Sequence, residues 1–146
     1  MIEPYTAVGL IPTFWGIRRR EDIAKNLEHL ESLTKAAYWL SNLDIPVRLV
    51  AIPEGALQGF NDEVLDVDHA EFARTCAIDI PGPETDRLGR LARTWGAYIM
   101  AQAKAPRGLA GPLLQCRLCR RSRRHRYPKA LQDRGLAALR AISLAA

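Results

Sequence analysis

The stretch Val47-Arg48-Leu49-Val50-Ala51-Ile52-Pro53-Glu54, followed by Gly55-Ala56-Leu57-Gln58-Gly59-Phe60, decides how the rest of the chain is read. A short, almost wholly apolar run predicts a strand buried on both faces. Pro53 ends it, because proline has no N–H to give to a sheet ladder. Glu54 follows at once, and Gly55 and Gly59 permit a tight loop after it. A carboxylate at the carboxyl end of a buried strand stands where open α/β layers assemble their sites. Desolvation there would make Glu54 a usable general base. The plain alternative is an ordinary loop glutamate.

Upstream of that stretch, Tyr5-Thr6-Ala7-Val8-Gly9-Leu10-Ile11 is strand-like and ends at Pro12. Residues 21–42 predict a long helix, because Ile23, Leu27, Leu30, Ala37 and Leu40 recur at helical spacing with charges between them. Asn42, Asp44 and Pro46 stop it. Strand, crossover helix and strand predict a βαβ unit with parallel strands. Downstream comes an acidic loop with Asp62, Glu63, Asp66 and Asp68, then a short helical stretch over residues 69–76. Pro81-Gly82-Pro83 is a turn that opens a helix reaching Trp95. Gly96 ends that helix, and residues 97–102 read as a third strand. No internal repeat is present.

A chain of 146 residues suits one domain. Its hydrophobic content of 48% suffices for a core, and its charged content of 25% is ordinary. No apolar run approaches the roughly 20 residues of a membrane span, so no membrane partner is expected. Glu3 stands where a secretory signal would carry basic residues, so no signal is expected. Three cysteines are an odd number, which argues against a disulfide framework and points to a reducing, cytoplasmic setting.

The net charge of +5 is unevenly spread. Residues 105–146 hold ten basic residues and one acid, Asp133, giving +9, whereas residues 1–104 hold eleven basic and fifteen acidic ones, giving −4. All three Trp and all three Phe precede the break near Lys104-Ala105-Pro106, and Tyr127 is the only aromatic after it. Two physically different polypeptides are joined there: residues 1–104 and a basic tail, 105–146.

The first of these resembles the carbon–nitrogen hydrolases of the nitrilase superfamily. The residues that carry the likeness are Pro53-Glu54 closing the second strand, then Gln58-Gly59-Phe60. Asn26-Leu27 in the first helix, Ile80-Pro81-Gly82-Pro83-Glu84-Thr85 and Tyr98-Ile99-Met100-Ala101-Gln102 complete the set. The resemblance covers residues 5–104. It implies an α/β fold of αββα sandwich type, of which this chain would hold a part: about three strands and three helices. It implies paired subunits, hence a homo-oligomer, and a small-molecule nitrile or amide substrate hydrolysed to acid and ammonia. In that family a Glu takes a cysteine proton, the thiolate attacks carbon, and a Lys stabilises the developing charge. Carried over residue by residue, Glu54 matches the general base. No cofactor and no metal are implied.

The departures begin at Ala105. The family continues with a strand holding Asn and Gly, a Pro-x-Gly turn and a strand ending at the catalytic Lys, with the nucleophilic Cys later. The chain reads instead Arg107-Gly108-Leu109-Ala110-Gly111-Pro112-Leu113-Leu114-Gln115-Cys116-Arg117-Leu118-Cys119, then an arginine run to Arg126. Read one base later, these codons permit the missing segment. Leu109-Ala110 allow Trp-Pro, and residues 113–119 allow Tyr-Phe-Asn-Val-Gly-Phe-Val. Residues 121–127 allow Asp-Pro-x-Gly-Thr-Val-Ile, and Leu131-Gln132 allow Tyr-Lys. A frameshift near residues 104–107 therefore accounts for the tail, and the chain as it stands is expected to be inactive. Three strands cannot close a two-sheet sandwich, so inner faces are expected to be exposed. Residues 105–146 are expected to be irregular or weakly helical and loosely packed on the rest.

The tail has alternatives of its own. Cys116 and Cys119, with His125 nearby, could be half a zinc site, but structural zinc needs four ligands and no second pair exists. The arginine run could bind nucleic acid nonspecifically through charge, although it lacks interleaved aromatics for stacking. Residues 130–146 could form a weak Leu/Ala-rich helix. Elsewhere the plain readings hold. Cys76 is a small buried residue, and His29 and His69 lie at the surface or at helix ends. Trp15, Trp39 and Trp95 serve packing, and Arg18-Arg19-Arg20 is a solvated loop. Two function classes follow: a nitrile or amide hydrolase, and a non-enzymatic module that binds nucleic acid through its basic tail.

Overall fold

The structure is a computed structural model that describes residues 3–106 and, as backbone alone, residues 114–120. It is mixed α/β. In chain order the elements are β1 (Thr6–Gly9), a 3-10 turn (Arg20–Asp22), α1 (Ile23–Ser41), β2 (Val47–Ala51), α2 (Asn61–Val64), α3 (His69–Cys76), α4 (Pro83–Trp95), β3 (Tyr98–Ala105) and β4 (Leu114–Arg120). The strands lie side by side as β1-β2-β3-β4. The first three are parallel, as the βαβ reading requires for β1 and β2, and β4 runs antiparallel to β3.

One face of the sheet packs on α1 and α4. Val50, Ile99, Ala101 and Ala103 from the strands meet Leu27, Leu30 and Leu88 from the helices in one core. Each fully buried Leu or Ile there contributes about 1.5–3 kcal/mol. The expectation that β2 is buried on both faces does not hold: Arg48 is exposed, and Leu49 and Ala51 are half-buried. The open face carries Ala7, Leu49, Ala51, Tyr98 and Met100, register partners across three strands. Nothing among the described residues forms a second sheet over it, so two-sided burial cannot occur. Val47 and Val50 are both in the core although three positions apart. An irregularity explains this, because Thr6 pairs with Val47 while Ala7 pairs with Leu49, leaving Arg48 as the extra residue.

Local chemistry sets the helix ends. The Asp22 carboxylate accepts from the N–H groups of Arg18 and Arg19, both at 3.0 Å, and these bonds hold it below the ordinary carboxylate value. Asp68 caps α3 by accepting from the Glu71 N–H at 2.9 Å. Pro83 starts α4 with its fixed φ, and Thr85 Oγ1 both accepts from the Gly82 N–H and donates to its carbonyl, each at 2.8 Å. Gly96 ends α4 at φ +61, the left-handed cap that glycine adopts without strain.

Several expectations are corrected. There are four helices rather than three, because the acidic loop contains the single turn α2. β3 ends at Ala105, within the composition break at Lys104-Ala105-Pro106. Residues 114–120 are a strand rather than irregular or helical, and Leu114, Cys116 and Leu118 pair in register with Ala105, Ala103 and Ala101. Alternating apolar residues suffice for that pairing. Trp39 is 76% exposed rather than packed. Arg20 is not simply solvated: its Nε and Nη2 donate to Glu84 at 2.8 and 3.0 Å, and its Nη1 donates to Asp79 at 3.0 Å. The zinc reading at Cys116, Cys119 and His125, the arginine run and the helix over 130–146 lie outside the described side chains. No helix among the described residues is long and apolar enough to cross a membrane.

Candidate functional site

The loop from Pro53 to Phe60 leaves β2, the middle of the three parallel strands, at its carboxyl end. Two glycines make its path possible. Gly55 has φ +76, and a Cβ there would stand 2.4 Å from the Phe60 ring; Gly59 has φ +67, and a Cβ would stand 2.5 Å from the Gly16 backbone. The Gly59 N–H closes the turn on the Gly55 carbonyl at 2.6 Å.

Two buried amides hold this loop down. Asn26 of α1 donates to the carbonyls of Trp15 and Leu57 at 2.8 and 2.9 Å and accepts from the Trp15 N–H at 2.9 Å. Gln58 donates to the carbonyls of Cys76 and Lys104 at 2.8 and 2.9 Å and accepts from the Lys104 N–H at 2.6 Å. Every one of these partners is a main-chain group, and the bonds to Leu57, Cys76 and Lys104 are buried.

Glu54 stands on this loop, exposed rather than desolvated. The open sheet face explains the difference. Its Oε1 accepts from Gln102 Nε2 of β3 at 3.1 Å. Beside it, Gly55, Gln58, Gly59, Gln102, Ala103 and Lys104 line a recess of about 10 Å³, the scale of one water.

Lys104 is the residue that sequence reasoning missed. It is buried, and its Nζ donates to both oxygens of Asp62 at 2.6 Å and to Glu63 at 3.1 Å. The Phe60 and Phe72 rings lie 5.6 and 5.4 Å from the ammonium. A usable signal existed: Gln102 and Lys104 alternate with Ala101, Ala103 and Ala105, so the polar residues of β3 share one face. The acidic residues after Glu54 gave that face its partner.

Cys76 is buried and belongs to none of this chemistry. Burial pushes its thiol up, the Thr75 hydroxyl opposes that, and the charges of Asp22, Asp62 and Glu21 add to it. The sulfur is thus held as a neutral thiol, a poor nucleophile. His69 is exposed at the start of α3, and His29 packs edge-on against Trp15 with ring centroids 5.6 Å apart. No metal-binding group of His, Cys, Asp and Glu occurs among the described residues. No protein-family profile matches the chain, and a search of curated proteins finds no match.

Proposed function

We propose that residues 5–104 are the amino-terminal part of a carbon–nitrogen hydrolase domain of the nitrilase superfamily, with Glu54 as its general base. One observation carries the reading. Glu54 follows the middle strand of a parallel sheet, at the end where such sheets assemble sites, and a neighbouring strand supplies a hydrogen bond to its carboxylate. The motif residues of the resemblance support it by their roles: Asn26 and Gln58 are the two amides that fix the Glu54 loop, and Ile80 to Thr85 open α4.

In this reading Glu54 removes the proton of a cysteine thiol. The thiolate adds to the carbon of a nitrile or amide, a lysine steadies the charge that develops, and water releases the acid and ammonia. The matching Lys lies in the frame that the tail has left, and the family's Cys would follow it some tens of residues later. β4 spans codons 114–120, and both frames put apolar residues at positions 114, 116 and 118, opposite Ala105, Ala103 and Ala101. The intact protein is proposed to be a cytoplasmic homo-oligomer that needs no cofactor.

Sequencing the gene across codons 100–135 tests the frame; a closed +1 frame, or one without the Asn-Val-Gly peptide, ends that part of the proposal. Deleting one base between codons 104 and 107 should yield a product that releases ammonia from simple amides or nitriles, and Glu54→Gln should abolish that release. The 146-residue chain as it stands should show no turnover. The competing reading, a basic-tailed module, rests on the +9 charge of residues 105–146. It requires DNA affinity that falls steeply with salt and survives removal of Glu54.

A further inference from the structure

We infer that Gln102 is a positioning residue for Glu54, a proposal that rests on the reading of Glu54 as a base. Gln102 lies on β3, on the face opposite the helices, between Met100 and Lys104 in the alternation of the strand. Its Nε2 donates to Glu54 Oε1 across 3.1 Å and 48 residues of sequence. The strand fixes the donor, and the loop that carries the acceptor is itself fastened to the same strand two residues later, through Gln58 and Lys104. Carboxylate and amide are therefore held to one frame.

The chemistry of the donor matters. A lysine or arginine at position 102 would also orient the carboxylate, but its charge would stabilise the ionised form and weaken it as a base. The amide of Gln102 supplies an orienting donor that brings no charge of its own. Lys104, the cation two residues further along β3, has its ammonium on Asp62 and Glu63. Two acids thus occupy that ammonium.

The test has two arms. In the 146-residue chain, ¹H–¹⁵N spectra follow the side-chain amide of Gln102. Glu54→Met should shift that pair of signals, whereas Asp66→Asn should leave it in place. An amide pair indifferent to Glu54→Met overturns the contact. In the product of the gene with one base deleted, Gln102→Met should lower kcat about tenfold, the worth of one hydrogen bond to a charged group, with KM unchanged. Gln102→Lys should lower kcat as well, although it keeps a donor. A role in stability alone would instead leave kcat per folded molecule unchanged in both variants, and that result overturns the proposal. Hydrolysis that survives Glu54→Gln refutes the general base, and loss of the amide shift refutes the contact, so the two failures are told apart.

Discussion

Lys104 Nζ stands 2.6 Å from both carboxylate oxygens of Asp62, and the two side chains are only 10% and 1% exposed. The pair joins the carboxyl end of β3 to α2 under the rings of Phe60 and Phe72. A charge so little hydrated persists only with its partner. Lys104→Met would leave Asp62 buried and unpaired, at a cost of about 3–5 kcal/mol. Adding Asp62→Leu should recover most of that, because a buried pair replaced by apolar groups is often neutral. Urea unfolding of the two single variants and the double variant measures the coupling.

Gln58 should be the least replaceable neutral residue of the loop. Gln58→Leu removes the partners of the Cys76 carbonyl and the Lys104 N–H, at about 1–3 kcal/mol each, while the Lys104 carbonyl keeps the Ile78 N–H at 3.2 Å. A loss of at least about 2 kcal/mol is expected from denaturant unfolding. Gln58→Glu should be no better, since its carboxylate would face the carbonyls of Cys76 and Lys104.

Gly59 lies on the same loop, and its constraint is steric. A methyl group there would press on the Gly16 backbone at 2.5 Å, and φ +67 disfavours any L side chain. Gly59→Ala should cost about 2 kcal/mol or more. Gly96→Ala is the control: it shares the positive φ, but a Cβ meets nothing within 4 Å. It should cost about 1 kcal/mol. The difference in unfolding midpoints isolates the clash from the backbone conformation.

The Arg20–Glu84 pair should make stability fall in acid. Burial tends to raise the Glu84 carboxyl; the Arg20 guanidinium and a backbone N–H outweigh it, and the group ends below its ordinary value of 4.5. A carboxyl lowered on folding contributes stability that is present above its unfolded value and is lost as pH falls through its folded value. Arg20 is raised by the same contact, so it stays charged throughout. The unfolding midpoint should therefore drop as pH falls below the ordinary value of 4.5, and Glu84→Gln should flatten that slope while lowering stability at neutral pH.

Local pattern was legible where chemistry is local. Spacing of apolar residues located α1, a run of β-formers located β2, and Pro83 and Gly96 marked the ends of α4. The parallel pairing of β1 and β2 followed from the crossover helix. What spacing could not reveal was pairing across long separations. Lys104 meets Asp62 across 42 residues, Gln102 meets Glu54 across 48, and Arg20 meets Glu84 across 64. Each looks like a surface charge or an ordinary amide when read along the chain.

By itself the sequence determined β1, α1, β2, α3, α4 and β3, their order along the chain and the position of Glu54 after β2, because hydrophobic period and backbone stops act over a few residues. Only the tertiary structure decided which side chains are buried and paired. Burial of Lys104 and exposure of Glu54 depend on what the sheet faces, and that is settled by packing among distant segments rather than by any neighbour in sequence.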